Sequence, residues 1–264
     1  MAARASLLTV LTVLDRAGIR ALPVKGVVTG AWLYGDPSER PLTDLDVRVA
    51  PRDLDRAEAA LAAAGFQFLA GRSPTGNVVV EVGGVMVDLE THAGPPGLGR
   101  LTVEQMLDRA TTRATLGFPT LWPDPVDHAL LLTINVFKDK IALAAPWSLE
   151  DARRVVRAPE VGRAAFVDGV RRAKIAQIAW LVADAMARAG DDEWRRIRDD
   201  LGPPPRRVHA AMSRWLERRP ASTAARLVAR VAGDGPLDWA RGMRAAAQIE
   251  LWKLRDPVGS VLRF

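Results

Sequence analysis

The chain has 264 residues, 48% of them hydrophobic and 26% charged, a balance that excludes a mainly disordered protein and provides core for one large domain or two smaller ones. Cysteine is absent, so disulfides, thiolate zinc sites, iron–sulfur clusters and cysteine nucleophiles are excluded together. Only three histidines are present, so a bound metal would rest mainly on carboxylates, which favours hard ions such as Mg²⁺ or Mn²⁺.

The net charge is +6, with −1 over residues 1–120 and +7 over residues 121–264. A basic half attracts phosphates. However, 32 of the 37 cationic residues are Arg in an Ala- and Arg-rich chain, which reads as compositional bias, and the charge alone is weak evidence for nucleic-acid binding. No apolar run approaches the roughly 18 residues of a membrane span. Thr9, Thr12, Asp15 and Arg16 interrupt the faintly signal-like start, so a cytoplasmic protein without membrane partners is expected.

In chain order, Leu7, Leu8, Leu11 and Leu14 recur at helical spacing over residues 4–17, and Gly18 ends that helix. Residues 19–24 read as a strand, 26–34 as a helix and 35–38 as a turn. Leu45, Val47 and Val49 alternate with Asp44, Asp46 and Arg48, the period-two pattern of a strand with one apolar face. Pro51 opens a helix over about 52–64, closed by Gly65. Residues 66–69, 78–82 and 85–89 read as strands, the last two joined by the hairpin turn Gly83-Gly84. Beyond residue 125 the pattern is helical: 127–141, 148–157, 162–189, 192–200, 205–218 and 222–231, with Pro203-Pro204-Pro205 as a rigid break. The expected fold class is α+β, with domains at 1–122 and 123–264, the second α-helical.

The sharpest local feature is Arg40-Pro41-Leu42-Thr43-Asp44-Leu45-Asp46-Val47. On a strand, Asp44 and Asp46 lie side by side on one face. Adjacent carboxylates repel, so such a pair is kept cheaply only where solvent or a cation compensates. Asp88 sits on a second strand of the same period, and three carboxylates from two strands can hold two metal ions beside a triphosphate. Asp53-Leu54-Asp55 has the same spelling but leads into a helical pattern. There the two side chains diverge around the axis and suit helix capping. Gly26 follows a strand and opens a helix, a junction where phosphate can approach backbone N–H groups.

Val24-Lys25-Gly26, Leu33-Tyr34-Gly35-Asp36-Pro37, Arg40-Pro41-x-x-Asp44-Leu45-Asp46-Val47, Ala60-Leu61 and Gly65-Phe66, in this order and spacing, resemble the uncharacterised nucleotidyltransferase family of the DNA polymerase β-like superfamily. The likeness is dense over residues 20–92 and looser to about 157. It implies a polymerase β-like core, a short mixed sheet with helices, followed by an α-helical C-terminal domain. It also implies two Mg²⁺ (or Mn²⁺) ions and transfer of NMP from an NTP substrate such as ATP with release of pyrophosphate. Carried over, Asp44, Asp46 and Asp88 are the catalytic metal ligands. Gly26, with Lys25 and Arg40, meets the nucleotide phosphates. Lys138, in the stretch Asn135-Val136-Phe137-Lys138, corresponds to a triphosphate-binding lysine on a helix face shared with His128 and Asn135. Asp151 either orients that lysine or caps its own helix.

The sequence departs from the resembled pattern in two places. Lys25-Gly26 stands where the superfamily more often has Gly-Ser, and Glu90 follows Asp88-Leu89 where the family often has His. The expected acceptor is a hydroxyl of a small molecule, a peptide or RNA, including tRNA. The alternative is a non-catalytic nucleotide or RNA binder that retains the fold. His209, the scattered tryptophans and the Arg-Arg pairs read as surface or core residues, and no nucleophile-elbow context supports a hydrolase triad.

Overall fold

The computed structural model describes residues 2–139, 146–204 and 233–255. The helices expected at 205–218 and 222–231, together with Lys140 and His209, lie outside the described residues. The chain divides into two compact units, one from Met1–Ala93, Thr102–Asp124 and Ala247–Phe264, the other from Gly94–Leu101 and Pro125–Ala246.

The first unit is built on a five-stranded mixed sheet. Its strands are β1 (Ala21–Val24), β2 (Asp44–Val49), β3 (Gln67–Ala70), β4 (Val78–Val82) and β5 (Val85–Glu90), in the order β1-β2-β5-β4-β3. The β2–β5 pair is parallel and the other pairings are antiparallel. Helix α1 (Ala2–Arg16) and helix α3 (Leu54–Ala63), the latter entered through a 3₁₀ turn at Pro51–Asp53, supply Leu7, Val10, Leu14, Leu54 and Leu61. These join Leu45, Val47, Val49, Val78, Val80, Val87 and Leu89 of the sheet in one buried cluster. The strand period of two therefore sends every second residue of β2 and β5 to the core and leaves the intervening polar residues on the other face. Helix α2 (Gly26–Leu33) follows β1 directly.

The Gly83-Gly84 turn places both glycines at positive φ, 57° and 77°, and aligns Val82 with Val85, the geometry a tight hairpin requires. Asp53 stands at the N-cap of α3 and Asp55 in its first turn, but Asp53 makes no capping hydrogen bond. Its carboxylate accepts from Arg56 Nη1 at 2.9 Å, and Asp55 pairs with Arg72. Available arginines thus take the role expected of backbone N–H groups.

Between residues 92 and 125 periodicity alone suggests nothing regular, yet the chain forms α4 (Val103–Arg109) and a small hairpin of β6 (Thr111–Arg113) and β7 (Thr120–Trp122). Helix α4 is fixed by a capping box. Thr102 Oγ1 accepts from the Gln105 N–H at 3.2 Å, and Gln105 Oε1 accepts from the Thr102 N–H at 3.1 Å.

The second unit is helical: α5 (Pro125–Lys138), α6 (Pro146–Val155), α7 (Arg163–Arg172), α8 (Ala176–Arg188), α9 (Asp192–Leu201) and the start of α10 (Pro236–Arg255). Phe166 and Trp194 meet edge to face in its core, with ring centroids 5.9 Å apart. The Asp191 carboxylate caps α9 through the Trp194 N–H at 3.1 Å and accepts from Arg157 Nη2 at 2.7 Å. No helix among the described residues is long and apolar enough to cross a membrane.

The stretch 162–189 forms two helices where the sequence predicts one. Lys174 adopts φ 54°; its N–H donates to Arg171 O and the Ile175 N–H donates to Val170 O. These are the paired bonds of a Schellman terminus, which ends α7. Glycine takes the equivalent left-handed position after α1 and α3, at Gly18 and Gly65; a lysine there gives no local signal. Because a Cβ is crowded in this conformation, Lys174→Gly is expected to raise stability by about 1 kcal/mol, read as a higher urea midpoint at unchanged slope. A lower midpoint would show that the lysine side chain outweighs the backbone strain.

Candidate active site

The polar face of β2 and β5 is set by their parallel register. Asp44 pairs with Met86, Asp46 with Asp88 and Arg48 with Glu90. Adjacent strands lie about 4.8 Å apart, so the register stacks acid beside acid and then cation beside acid. Carboxylate oxygens of Asp46, Asp88 and Glu90 lie within 4.8 Å of one another. Asp44 stands one pleat further along, at the exposed start of β2, and its Oδ1 accepts from Thr43 Oγ1 at 2.9 Å. The sequence-derived trio of Asp44, Asp46 and Asp88 is thus drawn from one face, while the tightest oxygen cluster includes Glu90. Glu90 shares the period of Asp88 in Asp88-Leu89-Glu90, and that spacing was its available signal.

Two cations are built into the cluster. Lys25, at the junction of β1 and α2, donates from Nζ to Asp46 Oδ1. Arg48 is 1% exposed; its Nη2 pairs with Glu90 and its Nη1 lies 3.8 Å from Asp46 Oδ1. Glu90 Oε1 also accepts from Asn77 Nδ2 at 3.3 Å. Asp88 Oδ1 and the Arg48 Nε and Nη1 atoms are buried without a hydrogen-bond partner.

The charges explain the protonation. Burial, with the neighbouring Glu90 and Asp46 carboxylates, pushes the Asp88 pKa up to about 8, while Arg48 and Lys25 oppose the shift. Burial works against the Lys25 ammonium, but the charges of Asp46 and Glu90 outweigh it and hold its pKa above the ordinary value. Near neutrality Asp88 therefore keeps its proton beside the charged Lys25 ammonium. Burial pushes the nearby His92 imidazole below its usual value, which keeps it uncharged at pH 7.

The junction at Gly26 is closely covered. A Cβ there would come within 2.8 Å of Leu42 Cδ2 and 3.2 Å of Arg40 Nη2. The Leu42 side chain and the Arg40 guanidinium thus lie over the first turn of α2, and a side chain at position 26 would have to push them aside. In the other unit, Lys138 ends α5, is 45% exposed on its side chain and has its Nζ 3.9 Å from Asp139 Oδ1. Asn135 Nδ2 lies 3.5 Å from Asp139 Oδ2, and His128 is buried in the same helix. Asp151 is buried in the middle of α6 and does not cap that helix.

In metal-free protein the folded-state pKa of Asp88 lies above the ordinary 3.8. Its contribution to stability is therefore complete below about pH 4 and is lost as pH rises towards 8. Asp88→Asn, which cannot ionise, is expected to gain on wild type over that window. At pH 7 it should be more stable by over about 1 kcal/mol in urea unfolding with a chelator. A pH-independent difference would remove the buried-acid account.

No curated protein sequence matches the chain. Among solved structures it is similar to the antibiotic-resistance factor ANT(2'')-Ia in solution, with 14% identity, TM-score 0.46, and 71% of this chain and 92% of that one covered. A crystal structure of ANT(2'')-Ia with adenylyl-2''-tobramycin gives 14%, 0.46, 70% and 98% for the same measures. A tRNA nucleotidyltransferase complexed with a primer tRNA and an incoming ATP analogue gives 13%, 0.31, 97% and 87%. The sequence pattern described as "Uncharacterised nucleotidyltransferase" matches residues 1–189. That span is well over half of the 264 residues and contains the acidic face, the Lys25-Gly26 junction and the first helices of the second unit. The chain therefore belongs to the uncharacterised nucleotidyltransferase family and is an enzyme of the nucleotidyltransferase class.

Proposed function

We propose that the enzyme transfers an NMP group from an NTP to an acceptor hydroxyl, releases pyrophosphate and depends on a divalent cation. The observation that carries this reading is the convergence of Asp46, Asp88 and Glu90 oxygens within 4.8 Å on one sheet face. The donor set fits a hard ion. It is all carboxylate, and one of its buried oxygens, Asp88 Oδ1, has no hydrogen-bond partner. Asp46 and Asp88 would hold Mg²⁺ or Mn²⁺, with Glu90 beside them and Asp44 available at the open end of β2 for a second ion. When bound, the ions supply positive charge to the attacking and leaving oxygens of phosphoryl transfer.

The remaining roles belong to the chain. Asp88, held as a carboxylate when a metal ion is bound, is the group proposed to take the acceptor hydroxyl proton. Lys25, Gly26 and Arg40 are proposed to bind the triphosphate, whose departing pyrophosphate needs fixed positive charge, and Lys138 is proposed as a nucleotide-binding residue of the helical unit. Residues 1–122 serve as the catalytic domain and 123–264 as the helical domain in this reading. The acceptor is a hydroxyl of a small molecule, a peptide or RNA.

The direct test is incubation with each α-labelled NTP and Mg²⁺ or Mn²⁺ against separate pools of metabolites, peptides and RNA. Label should move to one pool and stop moving when the metal is chelated. Asp46→Asn should lower turnover by about two orders of magnitude or more with the fold retained by circular dichroism. Near-wild-type turnover in purified Asp46→Asn would refute the assignment. NTP binding that ignores Mg²⁺ in calorimetry, with no label transferred, would favour a non-catalytic binder.

A further inference from the structure

Lys25 combines two unusual properties. It is the N-cap of α2 at φ 55°, ψ −133°, a conformation that crowds a Cβ and is normally left to glycine. Lys174, also at positive φ, is accounted for by its helix-ending bonds; Lys25 precedes a helix and has no such reason. Its distinguishing contact is electrostatic: the ammonium, on a Lys25 side chain that is 16% exposed, donates to Asp46 Oδ1. That same oxygen lies 3.8 Å from Arg48 Nη1. The carboxylate at the centre of the acidic face is thus covered by a cation of the chain itself.

The two cations differ in what they can do. Arg48 is 1% exposed and paired with Glu90, so it is fixed beneath the carboxylates. Lys25 sits at the strand–helix junction on a flexible stem, beside the N-terminus of α2 and the Arg40 guanidinium over Gly26. That junction favours anions, because the helix dipole and the guanidinium both present positive charge. A divalent cation and an ammonium cannot share Asp46 Oδ1 without strong repulsion at contact distance.

We infer that Lys25 is a tethered counter-ion for Asp46, that a divalent cation displaces it, and that the freed ammonium then binds the triphosphate. Resting on the metal-dependent reading above, this makes metal and nucleotide binding mutually reinforcing. The metal releases the lysine for phosphate, and phosphate keeps the lysine off the metal's ligand, with equal coupling in both directions. It also gives the strained backbone a purpose, since a relaxed φ at residue 25 would re-aim the stem away from Asp46.

The test is Mn²⁺ binding to the full chain, followed by the electron paramagnetic resonance signal of free Mn²⁺, with and without a non-hydrolysable α,β-methylene NTP. Wild type should bind Mn²⁺ weakly alone and more tightly with the analogue. Lys25→Met should bind Mn²⁺ about tenfold or more tightly than wild type without nucleotide. It should bind the analogue less well and lose most of the coupling. Lys25→Gly, which suits the observed φ, should behave in the same way and serves where the Met variant does not fold; Lys25→Arg should keep the weak binding of Mn²⁺ alone. Unchanged or weaker Mn²⁺ binding in a folded Lys25→Met or Lys25→Gly would overturn the inference while leaving the metal-dependent reading intact. Absence of Mn²⁺ binding in wild type and variants alike, with or without the analogue, would overturn both.

Discussion

Two carboxylates stand directly opposite each other where β2 and β5 run parallel, Asp46 against Asp88, and most of what is particular to this protein follows from their repulsion. An acid beside an acid on a buried face needs a proton, a cation or both. Here the chain supplies all of them. Arg48 lies beneath, Lys25 reaches in from the neighbouring turn, and Asp88 keeps a proton to about pH 8. The acidic face is thus compensated by groups of the chain itself.

The same strands carry the fold and the chemistry, one on each face. Leu45, Val47, Val87 and Leu89 are buried against α1 and α3, and they fix the strand positions from which Asp46, Asp88 and Glu90 project the other way. Slipping either strand by one residue would put the acids into the apolar cluster, so burial of the core face specifies the acidic face at no further cost. The acidic face itself opposes folding, because an unpaired, largely buried carboxyl is destabilising. Stability is contributed by one side of the sheet and spent on the other.

Much of this was legible in residue order. The alternation of Asp44, Leu45, Asp46 and Val47 gives the strand and its two faces, and Val87-Asp88-Leu89 gives the second strand with the third acid. The period of two states which face a residue occupies but not how far two strands are offset. Because β2 and β5 are separated by two strands and a helix in sequence, their register is a property of the whole packed layer. That is why Glu90, and not Asp44, completes the tight oxygen cluster. The end of α7 at Lys174 and the three-residue strands β6 and β7 lie beyond local reading for a related reason. A left-handed lysine has no compositional mark, and three residues are too few to show a period. The capping box at Thr102 and Gln105 is the opposite case: its spelling is plain, but it opens a helix too short for periodicity to reveal.

The two cations at the acidic face are chemically different, and the difference matches their positions. A guanidinium is weakly hydrated and planar, presents several donors in a fixed plane, and tolerates burial; Arg48 is buried, pairing Glu90 and lying close to Asp46. An ammonium is a compact, strongly hydrated point charge on a flexible stem, which makes it easier to exchange between a carboxylate and a phosphate. In a chain where 32 of 37 cations are arginine, lysine at position 25 runs against the bias. An arginine at that turn would hold Asp46 in a fork and be harder to release. A site that must surrender one counter-charge on loading and keep the other calls for this division: arginine inside, lysine at the rim.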